Sequence, residues 1–431
     1  MDRRSLLRFA GLAALGSALP LSAGEPSAPS RPSGARRRPT RSARSGVGSV
    51  VTPNGTTLPL RRSGGVLVGH LVAQVVHHEF APGLRALVWG YNGGTPGPTI
   101  EATEGDRLRI YVTNRLPEPT TVHWHGLVLP NGMDGVSGLN QAPIPVGETW
   151  VYEFDLRRPG TFMYHSHYDE MTQVALGLVG MIVVHPRIPK GPPVDRDFVL
   201  MTHEWSLPVG ARRPDPGAMS DFNLLTFNGK VYPGTAPLVV GTGERVRIRI
   251  GNLSPMDHHP IHLHGLSFEV TGTDGGDVPP SARWPETTVL VPTGSARVIE
   301  LVPTEPGDWA VHCHMTHHVM TQMGHGLPNV VGADLASVDE RLSRLVPGAM
   351  VMGTTGMGGM GEMSMPVPPN SLPMKGANGP FGHVDMGGMF TALKVRDDPG
   401  SADPEGWFRH PEGTVAGPAD AARLAADGIA P

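Results

Sequence analysis

The sequence predicts an all-β protein built from two copies of one β-sandwich unit. Alternating apolar and polar residues, short runs rich in Val, Ile and Thr, and turns full of Gly and Pro are typical of sandwiches. A chain of 431 residues can hold two or three domains of usual size. An internal repeat indicates that the unit occurs twice.

The first 50 residues are predicted to lie outside both units. Residues 1–24 contain the pair Arg3-Arg4 and then a short apolar run broken by Gly and Pro, which is typical of a twin-arginine export signal. The alternative is a short N-terminal membrane helix, for which the run is brief. Residues 25–50 are rich in Pro, Ser and Arg and are predicted to be a disordered leader. We therefore expect a periplasmic or extracellular protein with no membrane span in its mature form.

The repeat consists of three pairs of segments in the same order. GDRLRIYVTN at 105–114 returns as GERVRIRIGN at 243–252, and HWHG at 123–126 returns as HLHG at 262–265. A Pro-Gly pair precedes both His165 and His312. The two units are placed at residues 51–190 and residues 191–335.

Four histidine clusters lie within the two units, each containing a His-x-His spacing. A single such pair on a strand would more often be structural, but four in one chain indicate metal binding, and imidazole suits copper, iron and zinc alike. The clusters are His123 and His125; His165 and His167; His259, His262 and His264; and His312, His314 and His318.

Cys313 is the only cysteine in the chain, so no disulfide can form within it, and it stands between His312 and His314. Because a strand sends alternate side chains to opposite faces, Cys313 would serve one metal site and its two neighbours another. Cys with two His and a long axial Met is the ligand set of a blue-copper centre. Met323 lies ten residues further on, so the sequence favours copper.

These motifs resemble those of the multicopper oxidases, the family of laccases, ascorbate oxidase and cuprous oxidases. The resemblance covers roughly residues 80–335. It implies that each unit is a cupredoxin, a Greek-key β-sandwich, and that dioxygen is the electron acceptor. It also implies four copper ions per subunit: one type 1, one type 2 and a type 3 pair.

The resemblance assigns the ligands position by position. The type 1 copper would be held by His259, Cys313 and His318, with Met323 as its axial ligand. The type 2 copper would be held by His123 and His262. The type 3 pair would take the six remaining matching positions: His125, His165, His167, His264, His312 and His314. Electrons from a reductant would enter at Cys313 and pass through its histidine neighbours to the three-copper cluster, where dioxygen is reduced to water.

The motif spacing resembles that of the two-domain members of the family, the small laccases. Only 92 positions separate His167 from His259, which leaves no room for a spacer domain. In such proteins the three-copper cluster forms between the first domain of one subunit and the second domain of its neighbour. Head-to-tail contacts must close into a ring, so we expect a homotrimer with intersubunit clusters. The first unit has non-ligand residues where the second has its type 1 ligands: Thr120, Ser166, Met171 and Leu176.

Residues 336–431 are predicted to be a mostly irregular extension rich in Met, Gly and Pro. Nine methionines lie between Met350 and Met389. Thioether sulfur suits cuprous ions, so one interpretation is a copper-collecting segment, as in cuprous oxidases. The alternative is a flexible loop or a packing strap. Residues 386–395 have the pattern of one late strand, which favours a packed segment.

Asp134 is a candidate proton relay, because it lies where many family members place an acidic residue near the type 2 copper. The alternative is a turn residue before Gly135. The net charge of −4 leaves no basic face for nucleic acid, since nine Arg are concentrated in residues 1–44.

Two other classes of function remain open from the sequence. A copper nitrite reductase also uses two cupredoxin domains, but its type 1 cysteine lies in the first domain, where Ser166 stands here. A copper-storage protein is the second alternative, suggested by the Met-rich segment. Within the oxidase interpretation, the electron donor is left open among phenols, aromatic amines, cuprous ion and manganous ion.

Overall fold

The computed structural model describes residues 49–220, 222–321, 344–345, 369–372 and 376–430. The predicted export signal, nearly all of the leader, Met323 and most of the Met-rich segment lie outside the described residues. The described part is nearly all β, which confirms the predicted fold class. It contains no helix long and apolar enough to cross a membrane.

The first sandwich has its larger sheet in the order β1-β2-β5-β6, with β3 paired to β2, and its smaller sheet in the order β4-β8-β7. Strand β5 alternates exposed and buried side chains, because one face meets solvent. Strand β8 is buried at every position, because both of its faces are covered. The elements are β1 (Arg61–Ser63), β2 (Val66–Ala81), β3 (Leu84–Tyr91), β4 (Ile100–Thr103), β5 (Arg107–Arg115), a 3₁₀ turn (Asn131–Met133), β6 (Thr149–Asp155), β7 (Gly160–His165), α1 (Glu170–Ala175) and β8 (Val179–His185).

The second sandwich repeats this plan with more strands. One sheet runs β10-β9-β12-β18-β14-β15, with β16 on β14, and the other runs β11-β22-β19-β13-β17. Its elements are β9 (Arg196–Trp205), β10 (Leu224–Phe227), β11 (Leu238–Gly241), β12 (Val246–Asn252), β13 (His259–Leu263), β14 (Phe268–Thr273), β15 (Gly276–Asp277), a 3₁₀ turn (Pro280–Ala282), β16 (Pro285–Glu286), β17 (Thr288–Val291), β18 (Ala296–Leu301), β19 (Gly307–Cys313), a 3₁₀ turn (Thr316–Val319) and β22 (Phe390–Arg396). Strands β20 (Asn378–Gly379) and β21 (Gly382–His383) form a separate two-stranded sheet, and α2 (Ala421–Ala426) follows β22.

Strand β22 lies in the segment predicted as an extension, yet it is an inner strand of the second sandwich. It pairs in parallel with β11 and antiparallel with β19. In the first sandwich β8 has the same relation to β4 and β7. The Met-rich segment is therefore inserted in the chain between β19 and the last strand of the second sandwich. The prediction of one late strand near residues 386–395 agrees with β22.

An apolar core lies between the two sandwiches and joins them. It draws side chains from β7 and β8 of the first sandwich and from β9 of the second. Its buried members are Val50, Met163, Val174, Val179, Met181, Val183, Val199, Met201 and Leu253. At its edge Arg249 of β12 forms two hydrogen bonds of 2.8 Å with the carboxylate of Asp197 on β9. The same guanidinium donates to Thr161 Oγ1 on β7 at 2.8 Å, so it ties the two sandwiches together.

Replacing Arg249 by Met should destabilise the copper-free protein. Arg249 is 5% exposed and Asp197 is 9% exposed, so the substitution leaves a buried carboxylate with only a 3.4 Å contact to Arg247. We expect a loss of about 3 kcal/mol in the free energy of unfolding by urea, the lower end for a broken buried pair.

The control is Arg62→Met, which breaks the exposed pair of Arg62 and Asp106. It should cost less than about 1 kcal/mol. Equal losses in the two variants would contradict a special role for the buried pair.

Candidate metal centre

Three side chains of the second sandwich converge in its core. Cys313 Sγ lies 3.7 Å from His259 Nδ1 and 3.4 Å from His318 Nδ1, and the two nitrogens are 3.2 Å apart. His259 begins β13, Cys313 ends β19, and His318 lies in the 3₁₀ turn that follows. All three side chains are buried. The structure thus brings together the three predicted type 1 ligands that lie within its described residues.

The spacing of these three atoms fits a single metal ion. Nitrogen and sulfur ligands lie about 2.0–2.3 Å from a d-block ion, so three of them around it in a trigonal plane would be about 3.5–3.8 Å apart. The observed edges of 3.2–3.7 Å are close to that range. One thiol and two imidazoles are the donor set of a blue-copper site.

Both imidazoles of this trio are oriented by a second contact. His259 Nε2 forms a 2.6 Å hydrogen bond with Ser254 Oγ, which leaves Nδ1 directed at the thiol. His318 Nε2 lies 3.4 Å from the carboxylate of Asp257. Such outer contacts select the ring nitrogen that binds a metal.

Burial sets the protonation state of the trio. It lowers the pKa of His259 well below its ordinary value, and the neighbouring His318 adds to this effect. Burial also raises the pKa of the Cys313 thiol to about 12. The imidazoles are therefore neutral and ready to bind a cation, and a bound cation would displace the thiol proton.

Four histidine rings of the first sandwich form a second cluster, the first quartet: His123, His125, His165 and His167. His123 and His165 face each other across a β-bridge, and His125 Nδ1 lies 3.3 Å from His165 Nε2. His165 Nδ1 donates to the carbonyl of Ser166 at 2.8 Å, and His123 Nδ1 donates to the carbonyl of Asp134 at 2.7 Å. Because Nδ1 carries the proton in both rings, the lone pair on Nε2 of His165 and of His123 can bind a metal ion. Burial lowers the pKa of His165 to about 3, which keeps it neutral.

The second quartet repeats this arrangement in the second sandwich with His262, His264, His312 and His314. His262 pairs with His312 across β13 and β19, and the Nε2 atoms of His264 and His312 are 3.0 Å apart. His312 Nδ1 donates to the carbonyl of Cys313 at 2.8 Å, as His165 does to Ser166. His262 Nδ1 is held by the carbonyl of Thr287 at 2.8 Å.

The two quartets do not share one site within the chain. Among the described residues, the ring contacts of each quartet are made within that quartet: His123–His125, His123–His165, His123–His167, His125–His165 and His165–His167; and His262–His264, His262–His312, His262–His314, His264–His312 and His312–His314.

The first quartet opens on a cavity of about 540 Å³. The second sandwich contributes Pro216, Ala218, Met219, Leu253–Met256, Thr293 and Gly294 to its wall, not the second quartet. Each quartet therefore presents its nitrogens without the other.

The structure adds residues that the sequence reasoning missed. Glu170 lies 3.5 Å from His165 Nδ1 and 3.7 Å from His167 Nε2, and it lines the cavity. Asp257 faces His318. The only sequence signal for Glu170 is its position three residues after His167. The predicted relay Asp134 has its carboxylate 3.6 Å from His123 Nδ1, a longer contact than that of its own carbonyl.

Comparisons with known proteins agree with this geometry. Residues 73–188 and residues 208–332 match two sequence profiles, each described as multicopper oxidase. Dihydrogeodin oxidase of Aspergillus terreus is 50% identical over 263 residues, which cover 54% of this chain and 42% of that protein. Copper resistance protein A of Escherichia coli is 32% identical over 237 residues, which cover 44% of this chain and 39% of that protein. The chain thus spans less than half the length of these curated relatives.

A solved structure gives the same result for the fold. The multicopper oxidase mgLAC superposes with a TM-score of 0.57 at 26% identity, covering 77% of this chain and 87% of that one. The two matched profiles contain all four histidine motifs and together span more than half of the chain. The chain belongs to the multicopper oxidase family.

Proposed function

We propose that this chain is a copper-dependent oxidase that takes single electrons from a donor and reduces dioxygen to water. The observation that carries the proposal is the alternation along β19. Cys313 lies in the core beside His259 and His318, while the ring of His312 joins the second quartet. One strand therefore links an electron-entry site to a histidine cluster.

Four copper ions per subunit would be held by the residues that the structure groups. The trio of His259, Cys313 and His318 would hold the type 1 ion, with Met323 as the proposed axial ligand outside the described residues. His123 and His262 would hold the type 2 ion, and the other six quartet histidines the type 3 pair. When bound, copper supplies one-electron transfer at the trio and the electrons for dioxygen reduction at the quartets.

The chain's own residues connect the two sites in two ways. Cys313 is covalently joined to His312 and His314 through the backbone. His312 Nδ1 also donates to the carbonyl of Cys313 at 2.8 Å. This short link would carry each electron away from the thiolate without a change in the fold.

The donor would approach the trio at His318, whose outer nitrogen faces Asp257. The Asp257 side chain is 36% exposed, so this edge of the site meets solvent. A carboxylate there would favour cationic donors and would accept a proton from a phenol. The proposed donors are phenols, aromatic amines, cuprous ion and manganous ion.

Protons for water formation would be supplied by carboxylates beside the first quartet. Asp134 stays the predicted relay, and Glu170 is a second candidate because it lines the cavity in front of the quartet. Both carboxylates lie within 4 Å of a quartet histidine.

We further propose a homotrimer in which each cluster is shared by two subunits. The separation of the two quartets within one chain supports this arrangement, because six type 3 ligands must come from both quartets. The buried core between the sandwiches would hold the two quartets of one chain in their separate positions. Export by the twin-arginine route to the periplasm or the outside of the cell remains a proposal from the sequence of residues 1–24.

The structure disfavours the nitrite reductase alternative. A nitrite reductase would need a type 1 cysteine in the first sandwich, where the Ser166 hydroxyl donates instead to Gln173. Met389 is fully buried in the core that contains Cys313, so its sulfur packs in that core.

Replacing Cys313 by Ser should abolish the blue absorption and the type 1 spin-resonance signal, while the type 2 signal stays. The thiolate gives the blue colour, and the eight quartet histidines are unchanged. The matched controls are His258→Gln and His317→Gln, exposed neighbours of the trio, which should keep four copper ions. A blue C313S protein would refute the assignment.

Two inactive variants should restore activity when they are expressed together. His165→Ala disables the first quartet and His264→Ala the second, so neither variant alone forms a cluster. If each cluster joins two subunits, about a quarter of the clusters in randomly mixed trimers would combine intact quartets. Oxygen uptake with a phenol measures this recovery. No recovery, or a copper-loaded protein with the mass of one chain in solution, would contradict the shared cluster.

Deleting residues 350–365, which hold six of the methionines, tests the copper-collecting hypothesis. The deletion leaves β22 and the preceding residues in place. If this segment delivers cuprous ion, kcat/KM for cuprous ion should fall at least tenfold while that for a phenol is unchanged. Unchanged kcat/KM for both donors would eliminate the hypothesis.

A further inference from the structure

The first sandwich contains a hydrogen-bonded network at the position of the type 1 ligands. The bridge between His123 and His165 corresponds to the pairing of His262 with His312. Counting from these pairs, Thr120 stands where His259 stands in the second sandwich. Ser166 stands where Cys313 stands.

The amide oxygen of Gln173 closes this position. Thr120 Oγ1 donates to Gln173 Oε1 at 2.7 Å, and Ser166 Oγ donates to the same atom at 2.6 Å. The two hydroxyl oxygens are 3.3 Å apart. All three side chains are fully buried. In the second sandwich Cys313 and His259 stand at the positions of Ser166 and Thr120, and the imidazole of His318 completes a triangle with them.

The amide of Gln173 uses every hydrogen-bonding position it has. Its Oε1 accepts two hydroxyls, and its Nε2 donates to the carbonyl of Pro119 at 2.8 Å and to Glu118 Oε1 at 3.1 Å. A buried amide whose oxygen accepts two hydrogen bonds and whose nitrogen donates two has one favourable orientation. The network therefore fixes the distance between the Thr120 and Ser166 backbones.

This network is joined to the first quartet by short covalent paths. Ser166 lies between His165 and His167, and Thr120 lies three residues before His123. Gln173 and Glu170 both belong to helix α1, and the Glu170 carboxylate lies 3.5 Å from His165 Nδ1. Anchoring of Gln173 thus also places this carboxylate against the quartet.

We propose that Gln173 is a positioning residue for the first quartet. Its hydrogen bonds to Ser166 and Thr120 tie the end of β7, which carries His165, to the segment that leads into His123. A type 1 metal ion would make the equivalent connection in the second sandwich. This inference rests on the proposed function, because the quartet must hold copper for its alignment to matter.

Replacing Gln173 by Leu tests the proposal. The side chain keeps a similar size and loses all four hydrogen bonds. The affinity for the type 2 and type 3 copper should fall at least tenfold, as is usual when an outer partner of a metal ligand is lost. The blue absorption and type 1 spin-resonance signal should remain, because the second sandwich is unchanged. Copper analysis after dialysis against a graded chelator, with spin resonance, measures both.

The matched control is Gln74→Leu. Gln74 lies half-buried on β2, a strand that carries none of the proposed ligands. This variant should keep four copper ions and both spin-resonance signals.

A second pair of variants applies if Gln173→Leu does not fold. Thr120→Val deletes one hydroxyl donor and should weaken the type 2 signal selectively, whereas Thr120→Ser keeps the hydroxyl and should behave like the unmodified protein.

Two results would overturn the positioning role. One is full type 2 and type 3 occupancy in both Gln173→Leu and Thr120→Val. The other is an equal loss of type 1 and type 2 signals, which indicates general destabilisation. Unmodified protein that fails to bind four copper ions would instead contradict the proposed function, before any variant is compared.

Discussion

The arrangement of the whole centre depends on the pleat of one strand. Successive side chains of β19 leave the backbone on opposite faces. The side chain of Cys313 therefore lies in the apolar core of the second sandwich, while its neighbours His312 and His314 belong to the second quartet. A shift of one residue in the pairing of β19 with β13 would exchange these two environments. The buried strand face fixes this register, because a histidine pair in the core would be costly.

The fold and the grouping of the histidines could be predicted from the sequence because both follow local rules. The alternation of apolar and polar residues predicted the strands, and the internal repeat predicted two sandwiches. The trio of His259, Cys313 and His318 could be named because its residue types and spacing match the motifs of the family that the sequence resembles. His165 and His312 each donate a hydrogen bond to the carbonyl of the following residue, and no sequence pattern predicts these two equivalent bonds.

Other contacts could not be predicted because they depend on which segments meet in space. Glu170 and Gln173 lie on the six-residue helix α1, whose orientation is set by packing. The Glu170 carboxylate contacts two histidines of the first quartet, whereas the Gln173 amide contacts Thr120 and Ser166. The closing strand β22 follows its partner β19 by more than 70 positions, so chain order alone suggested an extension. Asp257 faces His318 only because two loops meet at the end of the sandwich.

The place of β22 in the chain determines when the trio of His259, Cys313 and His318 can take its shape. β22 lies between β11 and β19, and the carbonyl of Met389 accepts a hydrogen bond from the Cys313 amide at 3.1 Å. All three trio residues are synthesised well before this strand. A nascent or truncated chain that stops before Phe390 would therefore carry every one of these ligands and still lack the strand that completes their sheet. If the trio holds copper as proposed, copper binding would follow the synthesis of β22, and chains that stop before Phe390 would be poor competitors for the metal.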